Sequence, residues 1–351
     1  MEEGRKMKLS IHIKKQLRSF LLQVDLDCED GVFALLGPSG CGKSMTLKCI
    51  AGIETPDEGY IAINDVVVFD SKRHINVPIQ KRHCGFMFQN YALFPNMTVK
   101  ENIACAVQDK TIRKQKTEQI MKTYDLMELA DVYPSHLSGG QAQRCAFART
   151  MASNPQILLL DEPFSAMDKY IKKKLSYELQ HLLETFSGCV IYVSHDNEEV
   201  YSLADQIALL NHGRIVEKGN KEKIFHHPET VYGAMQAGYE NISEIEILDS
   251  YTFYAKDWDM VLKSDIALNT SYTHAAIRAE DICSQKQSKN SYEIEVVKTI
   301  SNLNGTYSFV RNKGTCAKWL LCKEECITKQ KQIVFPKQCL CVLKSKKLSV
   351  D

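Results

Sequence analysis

The apolar run Val32-Phe33-Ala34-Leu35-Leu36 ends on Gly37-Pro38-Ser39-Gly40-Cys41-Gly42-Lys43-Ser44, and Ser44 to Ile50 then reads as a helix. Few features narrow the choice of fold so far. The run is a buried parallel strand, the glycines turn the chain, and the helix starts where the turn ends. Glycine lets the backbone curl until several N–H groups point at one anion. The helix brings the positive end of its dipole to the same place. Lys43 is then placed to reach the β- and γ-phosphates of a nucleoside triphosphate, and Ser44 to bind Mg²⁺. All eight residues, Gly37, Pro38, Ser39, Gly40, Cys41, Gly42, Lys43 and Ser44, are candidate ATP contacts. A plain glycine-rich turn is the competing reading, and the flanking strand and helix weigh against it.

Two further apolar runs are expected to lie beside the first. Ile157-Leu158-Leu159-Leu160 ends in Asp161-Glu162, and Val190-Ile191-Tyr192-Val193 ends in Ser194-His195. Polar residues at the C-terminal ends of three parallel strands put a ligand at that edge of the sheet. Adjacent carboxylates after an apolar strand are costly unless a cation or a water needs them. Asp161 is expected to hold Mg²⁺, directly or through water, and Glu162 to take a proton from the attacking water. Two solvated acids capping a strand are the alternative, disfavoured by the phosphate loop upstream. His195 and Gln89 carry little weight alone and gain it from their order among the other strings.

Between Gly85 and Ala152 the pattern turns helical, with helices expected over Thr98 to Val107 and Arg113 to Leu129. Ser138 is a good N-cap for a third helix running toward Ala152. It sits in Leu137-Ser138-Gly139-Gly140-Gln141, a string that residue frequencies place in roughly one chain of this length in a thousand. A glycine-rich helix start is again an anion site. One chain therefore offers two such sites. In a head-to-tail homodimer each ATP would lie between the phosphate loop of one subunit and the Leu137–Gln141 helix of the other. Nucleotide then joins the subunits and hydrolysis loosens them.

The 351 residues leave room for two or three domains. With 44 basic against 43 acidic side chains there is no long-range pull on nucleic acid, so no nucleic-acid partner is expected. Thirteen cysteines, odd in number, scattered, and one of them inside the phosphate loop, fit a reducing cytosol better than a disulfide framework. The start, Met1 to Lys6, lacks the apolar run of a secretory signal, and no stretch approaches bilayer-spanning length. A membrane role must then run through a partner. Ile207 to Leu210, Asn211-His212-Gly213-Arg214 and Ile215-Val216 read as strand, tight turn and strand. From about Ile242 short alternating runs, such as Tyr292 to Val296 and Tyr307 to Val310, indicate a small barrel-like β domain. Cys316, Cys322, Cys326, Cys339 and Cys341 lack paired CxxC spacing, so small core residues are expected there and no zinc site. Lys172-Lys173-Lys174 reads as a solvated helix face.

Taken together, Gly37 to Ser44, Gln89, Leu137 to Gln141, Ile157 to Glu162, Ser165-Ala166-Met167-Asp168 and His195 resemble the ATP-binding subunit of an ABC transporter over residues 1 to about 238. The resemblance implies an α/β P-loop ATPase domain over 1–238 with a helical subdomain at about 88–153. A small OB-like β-barrel regulatory domain would follow over 239–351. It implies ATP and Mg²⁺ as ligands, with Ser44, Gln89 and Asp161 at the metal and Gln89 sensing the γ-phosphate. Glu162 and His195 become catalytic, Leu137, Ser138, Gly139, Gly140 and Gln141 face the partner's ATP, and Asp168 joins the subunits. Asn90-Tyr91-Ala92-Leu93-Phe94-Pro95 resembles the surface that receives a coupling helix.

The same string, with Asp161-Glu162-Pro163-Phe164-Ser165, is similar to bacterial importers served by a periplasmic or lipid-anchored binding protein. Asn241-Ile242-Ser243 and Ala276-Ile277-Arg278-Ala279-Glu280-Asp281-Ile282 look most like the molybdate branch, with sulfate, polyamine and ferric-iron importers as alternatives. The expected assembly is two ATPase subunits under two transmembrane permeases, peripheral on the cytoplasmic face. Two departures stand out. No aromatic occurs at Ile13-Lys14-Lys15-Gln16-Leu17, where the family often places a ring under adenine, and Phe20, the nearest, reads as packing. Met167 replaces the usual leucine, a volume-conserving change.

Overall fold

The computed structural model describes residues 8–164, 169–184, 186–283, 290–303, 305–327 and 331–344. Ser165-Ala166-Met167-Asp168, and with it the expected role of Asp168, lies outside the described residues. The chain divides into two compact units, 1–221 and 222–351.

The first unit is built on an eleven-stranded sheet. Its antiparallel side starts with β1 (Leu9–Gln16) and β2 (Leu21–Cys28), paired from Leu9↔Cys28 to Gln16↔Leu21. Leu9, Ile11, Ile13, Leu22, Val24 and Leu26 all turn inward, while His12, Lys14 and Asp25 face out. That period of two marks a sheet with one wet face. The parallel side reads differently. β3 (Gly31–Leu36), β8 (Ile157–Asp161) and β9 (Cys189–Ser194) are nearly continuous apolar runs, and β8 and β9 are buried along their whole length. Helices cover both faces of such strands.

The remaining strands of this sheet are β4 (Glu58–Ile63), β5 (Val66–Asp70), β6 (Ile75–Asn76), β7 (Cys84–Met87), β10 (Gln206–Asn211) and β11 (Arg214–Asn220). Their order is β6-β5-β4-β1-β2-β11-β10-β3-β9-β8-β7. The β10–β11 turn uses left-handed His212 and Gly213, with φ 42° and 77°, as a two-residue hairpin demands.

The helices are α1 (Lys43–Ala51), α2 (Val99–Ala104), α3 (Arg113–Thr123), α4 (Gly139–Ala152), α5 (Lys169–Glu184) and α6 (Asn197–Leu203). Thr98 caps α2 through a capping box with Glu101. α3 ends six residues before Leu129, the expected limit, because Asp125 takes φ 53° and turns the chain out of the helix.

The second unit holds all of α7 (Lys221–His226) but its first residue, α8 (Val231–Gln236) and two sheets. Both helices precede β12 (Asn241–Asp249), β13 (Thr252–Ala255), β14 (Met260–Lys263) and β15 (Tyr272–Ile277). Then come β16 (Ser291–Asn302), β17 (Gly305–Asn312), β18 (Leu320–Lys323), β19 (Gln332–Val334) and β20 (Cys341–Lys344). The sheet orders are β14-β13-β12-β15-β20 and β18-β17-β16-β19. Both sheets feed one core, in which Trp258 stacks on Phe335 at 5.8 Å beside Phe253, Ile294, Val310 and Val342. The division at 221/222 precedes the expected boundary at 238. The reason is Arg278, whose Nη2 donates to Phe225 O and Ala237 O and so ties the α7–α8 region to the β elements. No helix among the described residues is long and apolar enough to cross a membrane.

Candidate nucleotide site

β3 runs straight into the phosphate loop, and close packing dictates its first residue. A Cβ on Gly37 would lie 2.2 Å from the carbonyl oxygen of Leu210 on β10, so no larger residue fits. Gly42 sits at φ 111° as the N-cap of α1, a conformation that L side chains resist. Lys43 is buried, and its Nζ donates to Gly37 O at 2.8 Å and Pro38 O at 3.0 Å. The ammonium therefore rests over the loop it would serve. Cys41 is buried beside it, and burial pushes its thiol above the ordinary range.

Strand register brings the other charged groups to the same edge. Leu36 pairs with Ser194 and Asp161 with Val193, so β3, β8 and β9 end level with one another. Asp161 accepts a hydrogen bond from Ser44 Oγ at 2.7 Å. Burial holds the Asp161 carboxyl above the usual range, against the Ser44 hydrogen bond that favours its charge. A carboxylate and a hydroxyl this close, one of them poorly solvated, form a hard-oxygen pair that suits Mg²⁺. Glu162 follows at φ 43°, its N–H donating to Val193 O at 3.0 Å. That left-handed backbone costs a non-glycine residue on the order of 1 kcal/mol and is common where a side chain must be aimed. Here Glu162 is aimed between Lys43 Nζ at 3.7 Å and His195 Nδ1 at 3.2 Å. His195 remains half exposed.

Gln89 lies two residues past β7, whose Met87 pairs with Leu160, and is exposed near the same edge. Leu137 to Gln141 is placed as expected for a helix start. Ser138 Oγ accepts from Gln141 N–H at 3.4 Å, and Gln141 Oε1 accepts from Ser138 N–H at 2.9 Å. Ser138 and Gly139 are exposed, while Gly140 faces Leu175 of α5 so closely that a Cβ would come within 3.0 Å. Phe20 is partly buried against the core and meets His212 edge-on at 6.4 Å, in line with a packing role. Its ring nevertheless lies near Gly42, with Cε2 3.7 Å from the position of an added Cβ.

Two groups of functional interest escaped the sequence reading. Arg149 of α4 donates to Ala92 O at 2.7 Å and Tyr91 O at 2.9 Å, while fully buried Asn102 bonds Phe94 and Met97. Together they hold Asn90–Pro95 with Phe94 half exposed and Tyr91 and Ala92 at positive φ. Lys172 is not a solvated lysine, as the basic run suggested. It is half-buried and paired to Asp196 at 2.7 Å and Glu199 at 2.6 Å. Most of these contacts join residues far apart in the chain, for which the local pattern holds no signal. Among the described residues no cluster of three or more His, Cys, Asp or Glu is arranged to hold a metal.

Residues 21–165 match the family model described as ABC transporter. The chain is 40% identical over 224 residues to the spermidine/putrescine import ATP-binding protein PotA of Bacillus cereus, covering 62% of this chain and 67% of that protein. The chain belongs to the ABC transporter ATPase family. Such an ATPase hydrolyses ATP in a reaction coupled to transport. The sulfate/thiosulfate import ATP-binding protein CysA of Mesostigma viride is 42% identical over 237 residues, 66% of each chain. A solved bacterial ABC transporter cassette, in a dimeric structure, aligns with this ABC ATPase at TM-score 0.50 and 27% identity, covering 61% of this chain and 98% of that one. A dimeric post-hydrolysis state bound to ADP and Pi aligns at TM-score 0.50 and 26% identity, with the same coverage.

Proposed function

We propose that this ABC ATPase energises an importer as a peripheral homodimer on the cytoplasmic face of two transmembrane permeases. The observation that carries the site is the level ending of β3, β8 and β9, which brings Lys43, Ser44, Asp161, Glu162 and His195 to one point. The loop N–H groups of 37–44 and the start of α1 receive the β- and γ-phosphates. Lys43 leaves the carbonyls of Gly37 and Pro38 to bond the phosphates as they bind. Ser44, Asp161 and Gln89 would hold Mg²⁺, which offsets phosphate charge when bound. Glu162 takes the proton of the attacking water, and His195 beside it contacts the γ-phosphate. Ser138 to Gln141 of the second subunit closes over the same nucleotide, and Asp168 joins the subunits. On this reading residues 1–238 are the ATPase domain with its helical part at about 88–153, and Asn90–Pro95 receives the permease.

For the cargo we propose an oxyanion, molybdate or tungstate, delivered by a periplasmic or lipid-anchored binding protein. Support comes from the strings Asn241–Ser243 and Ala276–Ile282, which meet where Asn241 pairs with Ile277 and Ile242 with Ala276. The β domain over 239–351 would sense the cytoplasmic oxyanion and hold transport off. The names of the relatives favour a second reading, a polyamine or sulfate importer; ferric iron belongs to the same group of alternatives. ATPase activity of the reconstituted transporter decides between them, given binding proteins loaded with molybdate, tungstate, sulfate, spermidine or ferric iron. Stimulation by molybdate or tungstate supports the first reading, and stimulation by spermidine or sulfate alone replaces it.

A further inference from the structure

The turn that carries His195 is anchored on both flanks to one lysine of a different element. Ser194 Oγ donates to Glu199 Oε2 at 2.6 Å and accepts the N–H of Asp196 at 3.0 Å. Tyr192, buried in β9, donates to the same Glu199 oxygen at 2.5 Å. Asp196 Oδ1 caps α6 by accepting the N–H groups of Glu198 and Glu199 at 2.9 Å and 3.3 Å. The remaining oxygens, Asp196 Oδ2 and Glu199 Oε1, both bond Lys172 Nζ, at 2.7 Å and 2.6 Å. Lys172 is 20% exposed and Glu199 7%. Two carboxylates in so poorly solvated a place would repel each other without a cation between them. Burial opposes the charge on Lys172, yet its two carboxylate partners outweigh burial and hold the ammonium above its ordinary range.

Lys172 stands in the first turn of α5, which begins at Lys169, directly after the segment that holds Asp168. The cation thus links the start of α5 to the residues on either side of His195. We propose that Lys172 is a positioning residue for hydrolysis, locking the His195 turn to the start of α5 so that His195 meets the γ-phosphate only when α5 is in place. The inference rests on the reading that His195 serves the γ-phosphate. A displacement near 1 Å at such a group can cost about a hundredfold in rate.

The test is ATP turnover by the purified full-length chain carrying Lys172→Met, Lys172→Arg, His195→Ala, and the Lys172→Met/His195→Ala pair. Lys172→Met should lower kcat about tenfold to a hundredfold and leave the KM for ATP within about threefold. Lys172→Arg should restore most of the rate. In the His195→Ala background Lys172→Met should add little, because both act through one side chain. A multiplicative loss in the pair, or unchanged kcat in Lys172→Met, overturns the inference while leaving the role of His195 intact. Full activity in His195→Ala removes the role of His195, and the inference falls with it. Should Lys172→Met fold poorly, Lys172→Met/Glu199→Gln removes the more buried of the two stranded charges and leaves the more exposed Asp196 to solvent, while the new side-chain amide can still serve Tyr192 and Ser194. Wild-type kcat in that folded variant contradicts the proposal, and a lowered kcat at unchanged thermal stability supports it.

Discussion

The two glycine-rich helix starts of this chain are capped and furnished differently, α1 by left-handed Gly42 and α4 by the Ser138 capping box. At the start of α1 the polar partners come from distant strands: Asp161 and Glu162 from the end of β8, and His195 from the end of β9. At the start of α4 the cap is local, since Ser138 and Gln141 satisfy one another and the first residues face solvent. A helix N-terminus attracts an anion in either case. Among the described residues, only the first is surrounded by groups that can move a proton or offset charge on a transferring phosphoryl group. The second offers its exposed helix start and a local cap, which on the proposed reading suits a surface that closes over a nucleotide held elsewhere.

The comparison breaks first at Glu162. Replacing it with Gln should slow hydrolysis by about 10²- to 10⁴-fold while ATP still binds, and should collect ATP-bound dimers detectable by size-exclusion chromatography. Turnover near wild type in that variant removes the assignment of the base. Next, Ser138→Arg puts a bulky cation at the α4 start. The rate should fall about a hundredfold, with nucleotide binding to the single chain unchanged in a fluorescent-ATP titration. Loss of binding as well would mean that both helix starts serve one nucleotide within one chain.

The other end of α1 sharpens the contrast. Arg82 is buried and donates to Cys49 O, Ile50 O and Val77 O, so this helix is fixed at its far end by a cation that carries no chemistry. Arg82→Met should destabilise the first unit by about 3 kcal/mol in a urea titration, by leaving those carbonyls unbonded. A change within about 0.5 kcal/mol would show that water replaces the arginine. The smallest effect is expected from Ser138→Ala, about 1 kcal/mol from the lost cap.

The phosphate loop, β8 and β9 were readable in advance because strand, glycine turn and helix follow each other directly, and because buried parallel strands are continuous apolar runs. Ser138 was readable for the same reason: a cap and its Gln141 partner are three residues apart. Lys172 reads from the sequence as a solvent-facing lysine because its carboxylates lie well downstream, at Asp196 and Glu199. Arg149 and Asn102 escaped likewise, since their acceptors are carbonyls of a loop whose shape only the fold creates. The early stop of α3 depends on Asp125 adopting a left-handed backbone, which no glycine or proline announces. The boundary at 238 follows from the resemblance and lies close to the change of strand pattern at about Ile242, whereas the tie between α7–α8 and the β elements runs through Arg278, far downstream.

The central claim is that hydrolysis needs two chains, each lending its α4 start to the other's nucleotide. ATP turnover per chain, followed by dilution across the range in which sedimentation records the passage from dimer to monomer, tests it most directly. The account predicts that turnover per chain falls away with the dimer. A rate per chain that stays constant down to fully monomeric protein would contradict it.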